Sequence, residues 1–280
     1  MITLMFILSS LACMTQKHLL QFIKKKYNEN LNEIVTITHD KRKLTLHDVF
    51  NELNLTANDL SIDSLDMFAN NTFQRFDMFN LKYNPAGQSL LREIFLKVDN
   101  YIDGKYLGEI TTELITELQE SKYTLVEWRL SIYGKKISEW KTLSHWFYIH
   151  HLAHSNVRWM IQIPRLYAIY KHTHEINSFA ELLYNIFNPL FEVSINPSSD
   201  IELHCFLQTI VAFDSVDDES RPESDLTEKL PTPDKWTYDT NPPYAYYMYY
   251  MHVNIVMLNK VRAERGLNTF QFRPHCGEAG

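Results

Sequence analysis

Apolar, β-branched and aromatic residues gather in five short runs, at 2–8, 125–132, 157–163, 209–213 and 270–273. Each run has the length of a strand. The stretches between them carry apolar positions at helical spacing, the alternation expected of parallel α/β folds. The clearest helix covers 16–27, where Leu19, Leu20, Phe22 and Ile23 turn inward and Lys24 to Lys26 are solvated. Further helices are predicted over 89–100, 107–121, 138–151, 178–188 and 244–265, with Pro189 as the stop for 178–188. Residues 44–60 read as helix with turns that decorates the main body.

Most of the predicted strands are followed within a few positions by a polar or ionisable residue. In a (β/α) barrel the strands fill the core and the loops after them build the active site. The expected fold is therefore α/β, an incomplete TIM-type (β/α)8 barrel of roughly the first five β/α units with helical insertions. One partial barrel domain would occupy 1–280, with 218–243, rich in acidic residues, Ser, Thr and Pro, as a surface excursion within it. A closed barrel needs eight strands and five are countable, so an open sheet edge and a cut at Gly280 are expected. There is no internal repeat and no low-complexity tract.

Composition narrows the function. A hydrophobic fraction of 45% over 280 residues suits a cored globular domain and argues against disorder. The formal charge of −7 weakens nucleic acid or an anionic membrane as the main partner, while leaving room for a local basic pocket that takes a small phosphate. Cys13, Cys205 and Cys276 are an odd count without paired spacing, which disfavours a disulfide framework or a Cys-rich zinc knuckle and suits a reducing compartment. The run at 2–8 imitates a signal peptide but lacks a basic leader and is too short to span a membrane; a buried strand is its other reading.

The densest chemistry lies at the end of the chain, where Phe272-Arg273-Pro274-His275-Cys276-Gly277-Glu278-Ala279-Gly280 runs from a strand into a polar turn. A neutral imidazole can ligate zinc, and a carboxylate three residues on can shuttle a proton without binding metal. A surface pair would have the same spacing. Asp214 and the Asp217-Asp218-Glu219 run follow the fourth strand, either as a site-facing loop or as a solvated acidic turn. His150 and His154 sit at i,i+4 spacing but lack a metalloprotease glutamate, so structural histidines are expected. The aromatic cluster at 244–250 suits packing against the barrel or a neighbouring subunit better than base stacking.

The string FRPHCGEAG resembles the fifth-strand motif of AMP deaminases, members of the metal-dependent amidohydrolase superfamily related to adenosine deaminase. Five other blocks resemble the same family in the same order: FQRFDMFNLKYNPAGQSLLREIFLK from Phe73, RLSIYG from Arg129, RWMIQIPRLY from Arg158, FDSVDDES from Phe213 and NPPYAYYMYYMHVNIVMLN from Asn241. The resemblance implies zinc-dependent hydrolysis of AMP to IMP and ammonia in purine nucleotide metabolism. It implies that His275 is a zinc ligand and that Glu278 contacts and protonates the purine ring. It also implies that Met78, Phe79, Asn80, Leu81, Lys82 and Tyr83 form a substrate-binding stretch, in which Lys82 offers phosphate a point charge. The family usually has Lys at Met78, so one cation is missing here. A cytosolic homo-oligomer, a tetramer in the family, is implied as well.

Two departures bear on activity. The family's first strand ends in His-x-His, two zinc ligands, whereas Ile7, Leu8 and Ser9 stand at that place, and His18 belongs to the next helix. A later catalytic His and a zinc-binding Asp of the family fall beyond Gly280. A single imidazole should hold zinc weakly, because catalytic sites use three or more protein ligands. The alternative to an AMP deaminase is thus a catalytically inactive truncated relative that binds full-length subunits or nucleotide. A secreted deaminase-like factor would need a signal peptide and paired cysteines, and the chain offers neither convincingly.

Overall fold

The computed structural model describes residues 4–9, 14–38, 40–56, 60, 89–121, 123–217 and 230–276. Its centre is a parallel sheet of β1 (Leu4–Ser9), β4 (Thr124–Ser131), β5 (Val157–Pro164), β6 (Ile210–Val216) and β7 (Gln271–Phe272), laid side by side in that order. All five predicted strands are present within two residues of their expected starts. The run at 2–8 contributes β1, paired with β4 from Leu4 opposite Thr124 to Ser9 opposite Arg129. Among the described residues the sheet is open, with β1 and β7 at its edges.

Alternation along each strand separates two faces. On the convex face Val126, Trp128 and Leu130 of β4, Trp159, Ile161 and Ile163 of β5, and Phe213 of β6 are buried. The helices that cover them are those connecting the strands. From α5 (Glu139–Ile149), Phe147 meets Trp159 edge-on at 5.5 Å and Trp140 meets Phe213 at 6.4 Å; from α7 (Phe179–Ile195), Phe187 lies 6.2 Å from Phe213. Aromatic burial of this kind is the main stabilising term of the domain. The Trp140 indole also donates to the Ile186 carbonyl at 2.8 Å and ties α5 to α7.

Two expectations are corrected. Pro189 lies inside α7, which runs on to Ile195. A proline inside a helix costs about 3 kcal/mol, but Leu182, Ile186, Leu190 and Val193 form one continuous buried stripe across it, and that packing outweighs the lost backbone bond. Residues 44–60 begin in a strand: β2 (Ile34–Ile37) and β3 (Lys43–Thr45) make a small antiparallel pair, turned through Lys41 at φ 61°. Only then comes α2 (Leu46–Glu52), started by a reciprocal cap in which the Asp48 amide donates to Thr45 Oγ1 and the Thr45 amide to Asp48 Oδ2.

The second half of the predicted surface excursion, 230–243, is fastened to the domain. Trp236 is buried, its carbonyl accepts from Tyr167 Oη at 3.0 Å and from the Phe179 amide at 3.0 Å, and Asn241 Oδ1 accepts from the Ala168 amide at 2.8 Å. Its first half, 218–229, lies outside the described residues. The long helix α9 (Tyr244–Glu264) then packs on α7 and delivers the chain to β7.

Candidate active site

The concave face is where the charged side chains go. Strand register sets Ser131, Gln162 and Asp214 in one row across β4, β5 and β6, and Arg129, Met160, Ala212 and Gln271 in the row before it. Asp214 is fully buried, which costs a lone carboxylate several kcal/mol unless cations and donors answer it. Two do. Arg129 Nε stands 2.6 Å from Oδ2, off the axis of a straight hydrogen bond, and His275 Nδ1 lies 2.9 Å from both carboxylate oxygens.

His275 reaches this position because the ladder continues past β7. The Arg273 amide donates to the Phe213 carbonyl at 2.8 Å and the His275 amide to the Ser215 carbonyl at 3.0 Å, with Pro274 between them unable to donate. The imidazole thus emerges at the carboxyl end of the sheet, partly open to solvent, with a buried acid behind it. Its neighbour Arg273 pairs with Glu127 of β4 at 2.9 Å. Three strand spacings of about 4.8 Å separate β4 from β7 along the sheet, so this contact requires the sheet to coil toward its concave side.

A second polar knot stands beside the first. Arg165, just past β5, pairs with Asp217 and sends Nε and Nη2 to the Pro242 carbonyl at 3.2 and 2.6 Å. One guanidinium therefore holds both ends of the segment between Asp217 and Pro242. Asp214 is accordingly a strand residue buried in the site and Asp217 a clamped residue at its rim; neither is a free acidic turn.

Of the residues singled out by sequence, His275 and Asp214 come together. Met78, Phe79, Asn80, Leu81, Lys82, Tyr83, Asp218, Glu219 and Glu278 lie outside the described residues. His18 sits in α1 (Gln16–Glu29) and its Nε2 contacts Glu113 of α4 (Lys105–Glu120) at 3.2 Å, a helix-to-helix contact away from the strand ends. His154 falls beyond the end of α5 and contacts Gln119 at 3.1 Å, while the half-buried His150 ring lies against Trp146. Sequence reading passed over Arg129, Glu127 and Arg273 as site residues. The signal was available in Val126-Glu127-Trp128-Arg129-Leu130, where charges alternate with large apolar residues.

The chain matches the sequence profile of AMP deaminase over residues 6–280. It belongs to the AMP deaminase family. It is 56% identical to the AMP deaminase of Dictyostelium discoideum over 95% of this chain and 34% of that protein. It is 53% identical to the AMP deaminase of Saccharomyces cerevisiae (96% of this chain, 33% of that protein) and 50% identical to human AMP deaminase 3 (96% and 35%). The chain spans about a third of the length of the curated AMP deaminases it matches. Among the described residues no group of three or more His, Cys, Asp or Glu side chains could hold a metal ion, and no helix is long and apolar enough to cross a membrane.

Metal chemistry can be tested against the donors present. Metal-bound histidines commonly donate their second ring nitrogen to a carboxylate, and His275 on Asp214 has that arrangement. His275 therefore fits as one ligand. The described residues do not supply the rest of a ligand set, and β1 carries Ile7 and Ser9 in register with Glu127 and Arg129.

Proposed function

We propose that this chain is the part of an AMP deaminase that presents one metal-facing imidazole and the substrate-binding stretch of the site. The complete polypeptide would be a cytosolic homo-oligomer built on a closed (β/α)8 barrel that converts AMP to IMP and ammonia. The observation that carries the reading is His275 at the carboxyl end of a parallel sheet, backed by buried Asp214, in a chain of this family.

In this proposal His275 is a zinc ligand, and zinc, when bound, supplies a water deprotonated near neutral pH. Glu278, three residues on, gives a proton to the purine ring as the amino group leaves. Lys82 answers the phosphate charge, Asn80 offers both a donor and an acceptor, and Tyr83 offers a hydroxyl and an aromatic face. Met78 supplies no cation. Asp214 and Arg129 hold His275 in place.

A second reading has its own support. Ile7 and Ser9 stand where the resemblance expects His-x-His, so a non-catalytic relative that binds full-length subunits or nucleotide is the alternative. The two separate on one assay. A polypeptide extended at both ends to the length of its relatives, with zinc added, should release ammonia from AMP and lose that activity in the E278Q variant. No ammonia above background from a folded extended protein would leave the non-catalytic reading standing and end the first.

A further inference from the structure

At the amino ends of the strands, α5 and α8 (Ile201–Leu207) pack together and leave between them an open cavity of about 350 Å³. The turn that lines it leads into β5 and α8 leads into β6, so the length of β5, roughly 25 Å, separates it from the carboxyl-end site of His275. We propose that this cavity binds a small organic cation with an apolar body, an aryl- or alkylammonium, whose body rests on the cavity's rings and whose charge meets Glu202.

The walls of the cavity follow from how α5 ends. The Leu152 amide donates to the Phe147 carbonyl at 3.2 Å and the His151 amide to the Tyr148 carbonyl at 3.1 Å, with His151 at φ 52°, the paired closing bonds of a left-handed helix stop. Glycine takes that conformation at least cost. Here the position carries an imidazole instead, which stands beside the exposed Tyr148 ring with centroids 6.5 Å apart. The same turn folds Leu152 back into the interior, where it joins Phe147 and Phe206, rings 4.6 Å apart, in a buried apolar floor. From α8, Glu202, Cys205 and Phe206 enter at i, i+3 and i+4, one face of the helix.

Those groups define the ligand. An apolar floor with a few polar groups at the rim is the usual build of a small-molecule site, and the rings of Phe147, Tyr148 and Phe206 attract a cation as well as an apolar body. Among the described lining residues Glu202 is the acid, and none is Lys or Arg. Its carboxylate oxygens lie 3.0 and 3.2 Å from His145 Nδ1. A neutral imidazole supplies one N–H there and cancels no charge, so with the histidines neutral the rim is negative. An anion would meet Glu202 as a like charge, and an uncharged ligand would leave the carboxylate unanswered.

Two probes that share a ring and a chain and differ in charge, 2-phenylethylammonium and 2-phenylethanol, separate the possibilities when titrated into the 15N-labelled chain at about pH 8, where imidazoles are ordinarily neutral. The ammonium should shift the amide signals of His151, Ala153 and Cys205 saturably and bind at least about fivefold more tightly than the alcohol. It should also slow alkylation of the exposed Cys205 by iodoacetamide, followed by peptide mass spectrometry, and leave that of Cys276 unchanged. E202Q, at a partly exposed position, should bring the ammonium down to the affinity of the alcohol, and Y148A should weaken both probes. Equal affinities in the unaltered chain, or an advantage of the ammonium that survives E202Q, would overturn the choice of a cation. No saturable shift at these residues from either probe at millimolar concentration would overturn the site, and unchanged affinities in Y148A the part given to its ring. None of these readings involves AMP or His275, so the deaminase reading stands or falls separately.

Discussion

At the scale of single residues, the closest packing decides more than the charges do. A Cβ built at Gly108 in α4 would lie 2.2–2.3 Å from the His150 ring, so G108A should cost about 1–3 kcal/mol, seen as a lower urea midpoint. The same burial gives His150 a pH signature. Desolvation lowers its pKa below the ordinary 6.5, so the unfolded chain binds a proton there first. Stability from this group is complete above about pH 6.5 and falls as pH drops toward the folded value. H150F should therefore show a shallower loss of stability between pH 7 and pH 5, measured by denaturant titration at each pH; equal slopes would remove His150 from the account. Sequence alone pointed to His275, because a strand entering a polar turn is a local pattern. It could not show that Asp214 is the acid behind it, because the residues that meet are 61 positions apart, and no periodicity reports a contact between β6 and the end of β7.

At the scale of elements, α9 is anchored by a buried cation. Arg262 sends Nε to the Asn268 carbonyl at 2.7 Å, Nη2 to Asn268 Oδ1 at 2.7 Å and Nη1 to Ser194 Oγ in α7 at 3.0 Å, and it lies over the Phe270 ring. Asn268 passes the connection on to the carbonyls of Leu207 and Ile210 at the foot of β6. Burial lowers the arginine pKa to about 10, still charged at neutral pH. R262M should cost about 3 kcal/mol or more, since several buried acceptors lose their donor. R262K should recover little, because one ammonium cannot serve three separated acceptors with a planar fork. Both are read from thermal or urea unfolding. Strand positions were legible here because long buried runs have few alternatives. The β2/β3 pair was not, since four and three residues carry too little pattern, and Pro189 misled because its local penalty is set against packing from distant helices.

At the scale of the whole molecule, the lack of a metal-holding group among the described residues and the single imidazole His275 predict that the purified chain, after dialysis, holds far less than one zinc per chain by elemental analysis. Placing imidazoles at the two first-strand positions, in I7H/S9H, should raise zinc retention; no change would argue against β1 and His275 serving one site. The order of strands carries a different lesson, about time. Neighbours β4 and β5, β5 and β6, and β6 and β7 lie within about 60 residues of each other, but Leu4 must wait for Thr124, about 120 residues later. At ribosomal speeds of roughly 5–20 residues per second, β1 goes without β4 for about 6–24 s. During that interval Leu4–Ser9 offers a naked backbone edge to any passing chain, which makes this strand a place where chaperone capture should matter.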